Sequence, residues 1–128
     1  MNLSVTIDQP VNLVYEYISN PKNLPSWASG LSASIRKEAD YWISESPMGL
    51  VKVKFVEKNI FGILDHTVIL PSGIEVYNPM RVFQNHNGSE LLFTVYQLPD
   101  RSDEKFMEDS KLVEKDLKKL KDLLEGKL

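Results

Sequence analysis

The chain has no cysteine in its 128 residues. Disulfides and cysteine-ligated zinc are therefore excluded, and the core must hold the fold by itself. Histidine is scarce: His66 stands in a strand-like run and His86 in a distant turn, and no carboxylate cluster has metal spacing. No metal and no cofactor are expected. Long apolar runs are missing too. No stretch approaches the ~18 residues of a membrane span, so integral membrane association is not expected. The opening Met1–Asp8 alternates without an apolar run and is unlike a signal peptide. A cytoplasmic location is the default. Excess positive charge is also absent. A net charge of −3 argues against nucleic acid or an anionic membrane as partner. No repeat, linker, low-complexity tract or decisive catalytic motif is seen.

What is present is the composition of an ordinary globule, 42% hydrophobic and 26% charged. Residues 1–128 read as a single domain, and a chain of this length buries roughly two thirds of its unfolded surface. Leu3 to Ile7 alternate as a first strand. Asp8 or Gln9 can cap a helix with Pro10 in its first turn. Val11, Val14, Tyr15 and Ile18 form one helical face, and Asn20-Pro21 ends it. Asn23 to Trp27 reads as a short second helical turn.

Six strands are expected next: 34–38, 41–46, 50–57, 63–70, 74–85 and 90–98. Turn-like breaks between them make antiparallel neighbours. Pro79, inside the long fifth run, predicts a bulge or bend. A helix then spans Asp103 to Leu124, with Ser102 as its cap and an apolar stripe of Phe106, Val113, Leu117, Leu120 and Leu124. The fold class is α+β: a seven-stranded antiparallel sheet, two short helices after the first strand, and a long C-terminal helix against the sheet. Lys115, Lys118, Lys119 and Lys121 are offset by Glu114, Asp116, Asp122 and Glu125, which reads as a solvated face.

Binary pattern sets the registers, because a slip of one residue turns every side chain over. A three-residue turn at Pro71-Ser72-Gly73 puts Val68 opposite Val76, His66 opposite Asn78 and Leu64 opposite Met80. Asn87-Gly88, taken as a two-residue turn, puts Val82 opposite Phe93, Met80 opposite Val95 and Asn78 opposite Gln97. A turn at 59–62 puts Phe55 opposite His66 and Glu57 opposite Leu64. An inner row results: Phe55, His66, Asn78, Gln97. Burying such polar groups unpaired costs ~1–3 kcal/mol each. Either they satisfy one another, or water fills a cavity there, or a ligand uses them.

Other groups carry plainer readings. His66 and Asp65 are adjacent on a strand and point to opposite faces, so they make no dyad. His66, with Glu57 diagonal to it, is the weak candidate for acid–base chemistry. Arg81 and Asp65 read as a modest surface ion pair. Trp27 either closes one end of a cavity or anchors the core. Ser110 either allows close helix–sheet approach or lines the cavity.

With this layout assembled, the chain resembles the helix-grip superfamily of START, Bet v 1-like and polyketide cyclase-like (SRPBCC) proteins, especially small uncharacterised bacterial members. The marks are Pro10-Val11 through Asn20-Pro21, then Leu24-Pro25-Ser26-Trp27, Gly62-Ile63-Leu64-Asp65-His66 and Asp116 to Lys121. The resemblance implies that the sheet is curved, with a cavity between sheet and terminal helix that holds hydrophobic small molecules. The expected ligand site has walls of Val53, Phe55, Val68, Val76, Met80, Phe93 and Val95. His66, Asn78 and Gln97 orient the polar end, and Phe106, Ser110 and Trp27 complete it. A small hydrophobic molecule is the expected partner. The alternatives are a cyclase or dehydratase acting on a ketide-like or aromatic substrate, and a module that regulates a protein partner.

Overall fold

The computed structural model describes residues 1–29, 34–47 and 49–127. Met48, in the turn expected at 47–49, lies outside them. The elements run β1 (Asn2–Ile7), α1 (Val11–Ser19), a 3-10 turn (Pro21–Asn23), α2 (Leu24–Trp27), β2 (Ile35–Glu38), β3 (Tyr41–Ser46), β4 (Gly49–Phe55), β5 (His66–Ile69), β6 (Glu75–Asn78), β7 (Met80–Asn85), β8 (Gly88–Thr94) and α3 (Asp103–Leu124). The α+β layout is as the pattern predicts. The sheet differs in one respect: its described strands number eight, in a five-stranded sheet β2-β3-β4-β5-β6 and a three-stranded sheet β1-β8-β7.

Pro79 causes the division. It has no N–H to give to a ladder, and the single run expected over 74–85 breaks there into β6 and β7. The register nevertheless passes through the break. His66 pairs with Asn78, the Leu64 N–H reaches the Met80 carbonyl at 2.8 Å, and Ile63 bridges Arg81. One extended segment, residues 62–69, thus pairs with β6 at one end and β7 at the other, joining the two sheets at a corner. β5 proper begins only at His66 because an Asn59-centred loop shapes the approach. The Asn59 side-chain oxygen accepts the Phe61 and Ile63 N–H groups, each at 3.0 Å. Its backbone N–H donates to the Tyr15 hydroxyl at 2.9 Å.

The turn after β7 corrects the sequence reading. Asn85 pairs with Gly88, Val82 with Leu91 and Met80 with Phe93, so the turn is His86-Asn87, not Asn87-Gly88. His86 takes the left-handed conformation (φ 53°). Gly88 is needed for another reason: a Cβ there would stand 2.7 Å from the Ile7 carbonyl oxygen. Its neighbour Ser89 donates to the Gln9 carbonyl at 2.7 Å. Gly88→Ala is expected to push β8 off β1 and cost about 2 kcal/mol, read by urea denaturation; an unchanged midpoint would sink this account of the glycine.

The α1 cap is also corrected. Its N-cap is Pro10, with no side-chain cap bond. Asp8 and Gln9 instead meet the end of α3: the Asp8 N–H donates to Glu125 at 2.7 Å, and the Gln9 amide donates to the Leu124 carbonyl at 3.0 Å. Val14, Tyr15 and Ile18 are buried as the helical face predicts. In α3 the Ser102 hydroxyl accepts the Lys105 N–H at 3.1 Å. Leu117 and Leu120 are buried, while Phe106, Val113 and Leu124 pack partly buried against the core. The α3 charges are not all solvated. Lys121 donates to the Thr6 carbonyl and pairs with Glu125 at 2.8 Å. Lys121, then the Asp8 N–H and Lys127, hold the Glu125 carboxyl down at about 2. Among the described residues no helix is long and apolar enough to cross a membrane.

Candidate functional site

The extended segment 62–69 carries two consecutive polar residues, Asp65 and His66, to opposite sides of the sheet corner, as alternation requires. Both are buried, and their chemistry differs.

Asp65 is not half of a surface pair. It is 3% exposed and accepts four hydrogen bonds. Arg81 gives two, from Nε and Nη2, each at 3.1 Å. The Tyr77 hydroxyl gives one at 2.6 Å, and the Met80 N–H one at 2.9 Å. Burial alone would raise its pKa, but the Arg81, Tyr77 and Met80 bonds outweigh it and bring the carboxyl to about 2. Asp65 clasps the corner, taking the N–H of the first residue after Pro79.

His66 faces inward. Phe55 stacks on its ring (centroids 4.8 Å apart) and Phe93 meets it edge-on at 5.8 Å. Nδ1 lies 3.1 Å from the Leu64 carbonyl. A carbonyl only accepts, so Nδ1 carries the proton, and Nε2 is left to accept from the Asn78 amide at 3.4 Å. Burial lowers the ring pKa, and the Leu64 bond and the Asp65 charge only partly oppose it. The imidazole is neutral at pH 7 with its lone pair toward Asn78. Glu57 is exposed, and no hydrogen bond joins it to His66 among the described residues.

A cavity of about 220 Å³ lies between α2, α3 and the inner face of β3–β6. Of the expected site, His66, Asn78, Val53, Val68, Phe93 and Trp27 line it. Phe55, Val76, Met80, Val95, Phe106, Ser110 and Gln97 do not. Met80 and Val95 are core residues, and Phe106 packs on the core. Phe55 supports the His66 ring from behind, and Val76 is half-buried opposite Val68. Ser110 is buried, its hydroxyl donating to the Phe106 carbonyl at 2.9 Å. Gln97 is exposed and donates to the Arg101 carbonyl and the Asp103 carboxylate, each at 3.0 Å. The two-residue shift of the β7–β8 pairing removes it from the polar row.

Sequence reasoning missed Leu24, Ala28, Ser29, Ser46, Val51, Leu70, Val113, Asp116 and Leu117 in the lining. Val51 shares a face with Val53, and Val113 and Leu117 belong to the stripe, so those three were available signals. Asp116 was hidden among alternating charges. Trp27 is 3% exposed, and its buried indole N–H has no hydrogen-bond partner among the described residues.

No protein-family model matches the chain, and no curated protein matches it in sequence. Solved structures do match. The Aha1 dimer from Colwellia psychrerythraea superposes with a TM-score of 0.74 at 16% identity, over 99% of this chain and 96% of that one. StfQ, a di-domain ARO/CYC from the steffimycin biosynthetic pathway, gives 0.72 at 10% identity, over 98% of this chain but 44% of its own. Ara h 8.0201 gives 0.67 at 11% identity, over 98% and 97%. At such identities the likeness speaks for architecture alone. Over nearly its whole length, the chain shares the fold of these structures, antiparallel strands packed against a long C-terminal helix.

Proposed function

We propose that the chain is a cytoplasmic binding protein for a small, largely apolar molecule carrying one or two polar groups, held between α3, α2 and the sheet. Neither nucleic acid nor an integral membrane contact is part of this reading. One observation carries it: the cavity's apolar walls include polar groups short of partners. The Trp27 indole N–H has no acceptor among the described residues. The only hydrogen bond of the Asn78 side chain among them is the long one to His66. In a packed core such groups are satisfied, whereas a few convergent polar groups on apolar walls are what ligand pockets present.

Native mass spectrometry of freshly purified protein, with extraction of anything bound, is the direct test. With a ligand in hand, His66→Leu and Asn78→Leu are each expected to weaken binding by about tenfold. Unchanged affinity in both would remove their orienting role.

The neutral His66 Nε2 favours a second reading, a cyclase or dehydratase acting on a ketide-like or aromatic substrate, with this nitrogen taking the proton. It requires turnover that His66→Gln abolishes while the fold survives.

A further inference from the structure

The cavity has one charged wall group, and it is negative. Asp116 sits on α3 between the Val113 and Leu117 turns and lines the cavity. Its Oδ1 accepts both bonds offered by Ser29, from the backbone N–H at 3.1 Å and from the hydroxyl. Its Oδ2 accepts none, and Asp116 forms no ion pair, among the described residues. Burial pushes the carboxyl up from its ordinary pKa, opposed by the Ser29 bonds and by the fields of Lys119 and Lys115. Both lysines are exposed, so water and salt screen them. The one other ionisable group in the lining is His66, held neutral. The residues outside the described set are Gly30, Leu31, Ser32, Ala33, Met48 and Leu128, none with a charged side chain. No wall cation compensates Asp116.

We propose that the cavity selects molecules bearing a protonated amine on a small aromatic or apolar body, with the ammonium at Asp116, and rejects carboxylates. This rests on the binding reading above and narrows it. An ammonium at the free Oδ2 makes a charge-assisted bond to a half-buried carboxylate. A carboxylate in the same place meets a like charge and loses its hydration unpaired. Size limits the body: about 220 Å³ exceeds the roughly 150 Å³ in which benzene binds, so one ring with a short arm fits. Trp27 and Phe93 supply aromatic surface for it.

The experiment is an NMR titration of the full chain at pH 7.5 with 2-phenylethylamine, 2-phenylethanol and phenylacetate, matched in ring and arm. The amine is expected to bind about tenfold more tightly than phenylacetate, with the alcohol between them. Asp116→Asn is expected to bring the amine to within about twofold of the alcohol. Phenylacetate binding as tightly as the amine, or an amine preference that survives Asp116→Asn, overturns the proposal while the binding reading stands. Binding of none of the three overturns both. The wild-type ranking alone decides the matter if the variant does not fold.

Discussion

Asp65→Ala is expected to lower stability by about 3 kcal/mol, read by urea denaturation at pH 7. The substitution removes the acceptor for four bonds at once. It strands the Met80 N–H, which lies just past Pro79 at the corner and is buried with its residue. Arg81 is 48% exposed at its side chain and can turn to water, so the loss falls short of that for a fully buried ion pair. The pH dependence has a definite sign. Asp65 titrates at about 2 in the folded chain against an ordinary 3.8. A depressed carboxyl contributes its stability above the unfolded value and loses it as pH falls through the folded one. About 2 kcal/mol should therefore disappear between pH 4 and pH 2. Asp65→Asn should lack that component, so wild type and variant converge on acidification. Parallel losses across that window would refute the clasp.

The second large effect is expected at Gly62. Its φ of +72° is a left-handed conformation, and a Cβ there runs into the Val82 carbonyl oxygen. That oxygen is main chain and cannot swing aside. The Val82 N–H donates back to the Gly62 carbonyl at 2.9 Å, so the two backbones are held face to face. Gly62→Ala is expected to cost about 4 kcal/mol or to leave no folded protein. Gly73 is the control. It has φ +91° but nothing within 4 Å of a built Cβ, so Gly73→Ala should cost only about 1 kcal/mol, the left-handed penalty by itself. Equal losses at the two positions would show that the Val82 contact is immaterial.

Both residues sit in a stretch whose secondary structure was legible and whose tertiary role was not. The β4–β5–β6 registers follow from alternation and the Pro71-Ser72-Gly73 turn, and Phe55, His66 and Asn78 align as that logic requires. The same logic failed by two residues at β7–β8. Asn87-Gly88 is a strong local turn signal, but Gly88 answers to the backbone of Ile7, about eighty residues away, and local sequence holds no trace of that. Because the slip is even, parity survived: Met80, Val82, Leu91 and Phe93 remained inside, and only Gln97, at the far end, lost its partner. Alternation put Asp65 on the outer face correctly, yet it could not show that the corner at Pro79 folds donors over it. Asp116 was misread for a related reason. Charge alternation along a helix looks like solvent exposure, and only the position of Ser29 and the cavity edge turns one of those charges into a wall group.

The pairing of β1 with β8 has a consequence for how the chain is made. Thr6 and its cross-strand neighbour Glu90 are 84 positions apart, and Lys121, which grips the Thr6 carbonyl, is 115 away. During synthesis β1 leaves the ribosome before the rest of the sheet, and its mate is among the last strands to follow. It must wait as an open edge with Leu3, Val5 and Ile7 uncovered, while β2 to β6 can zip through short local turns. Closing so long a loop is slow and leaves the early strand open to wrong partners. Among the described strand pairings, β1 with β8 closes the longest loop.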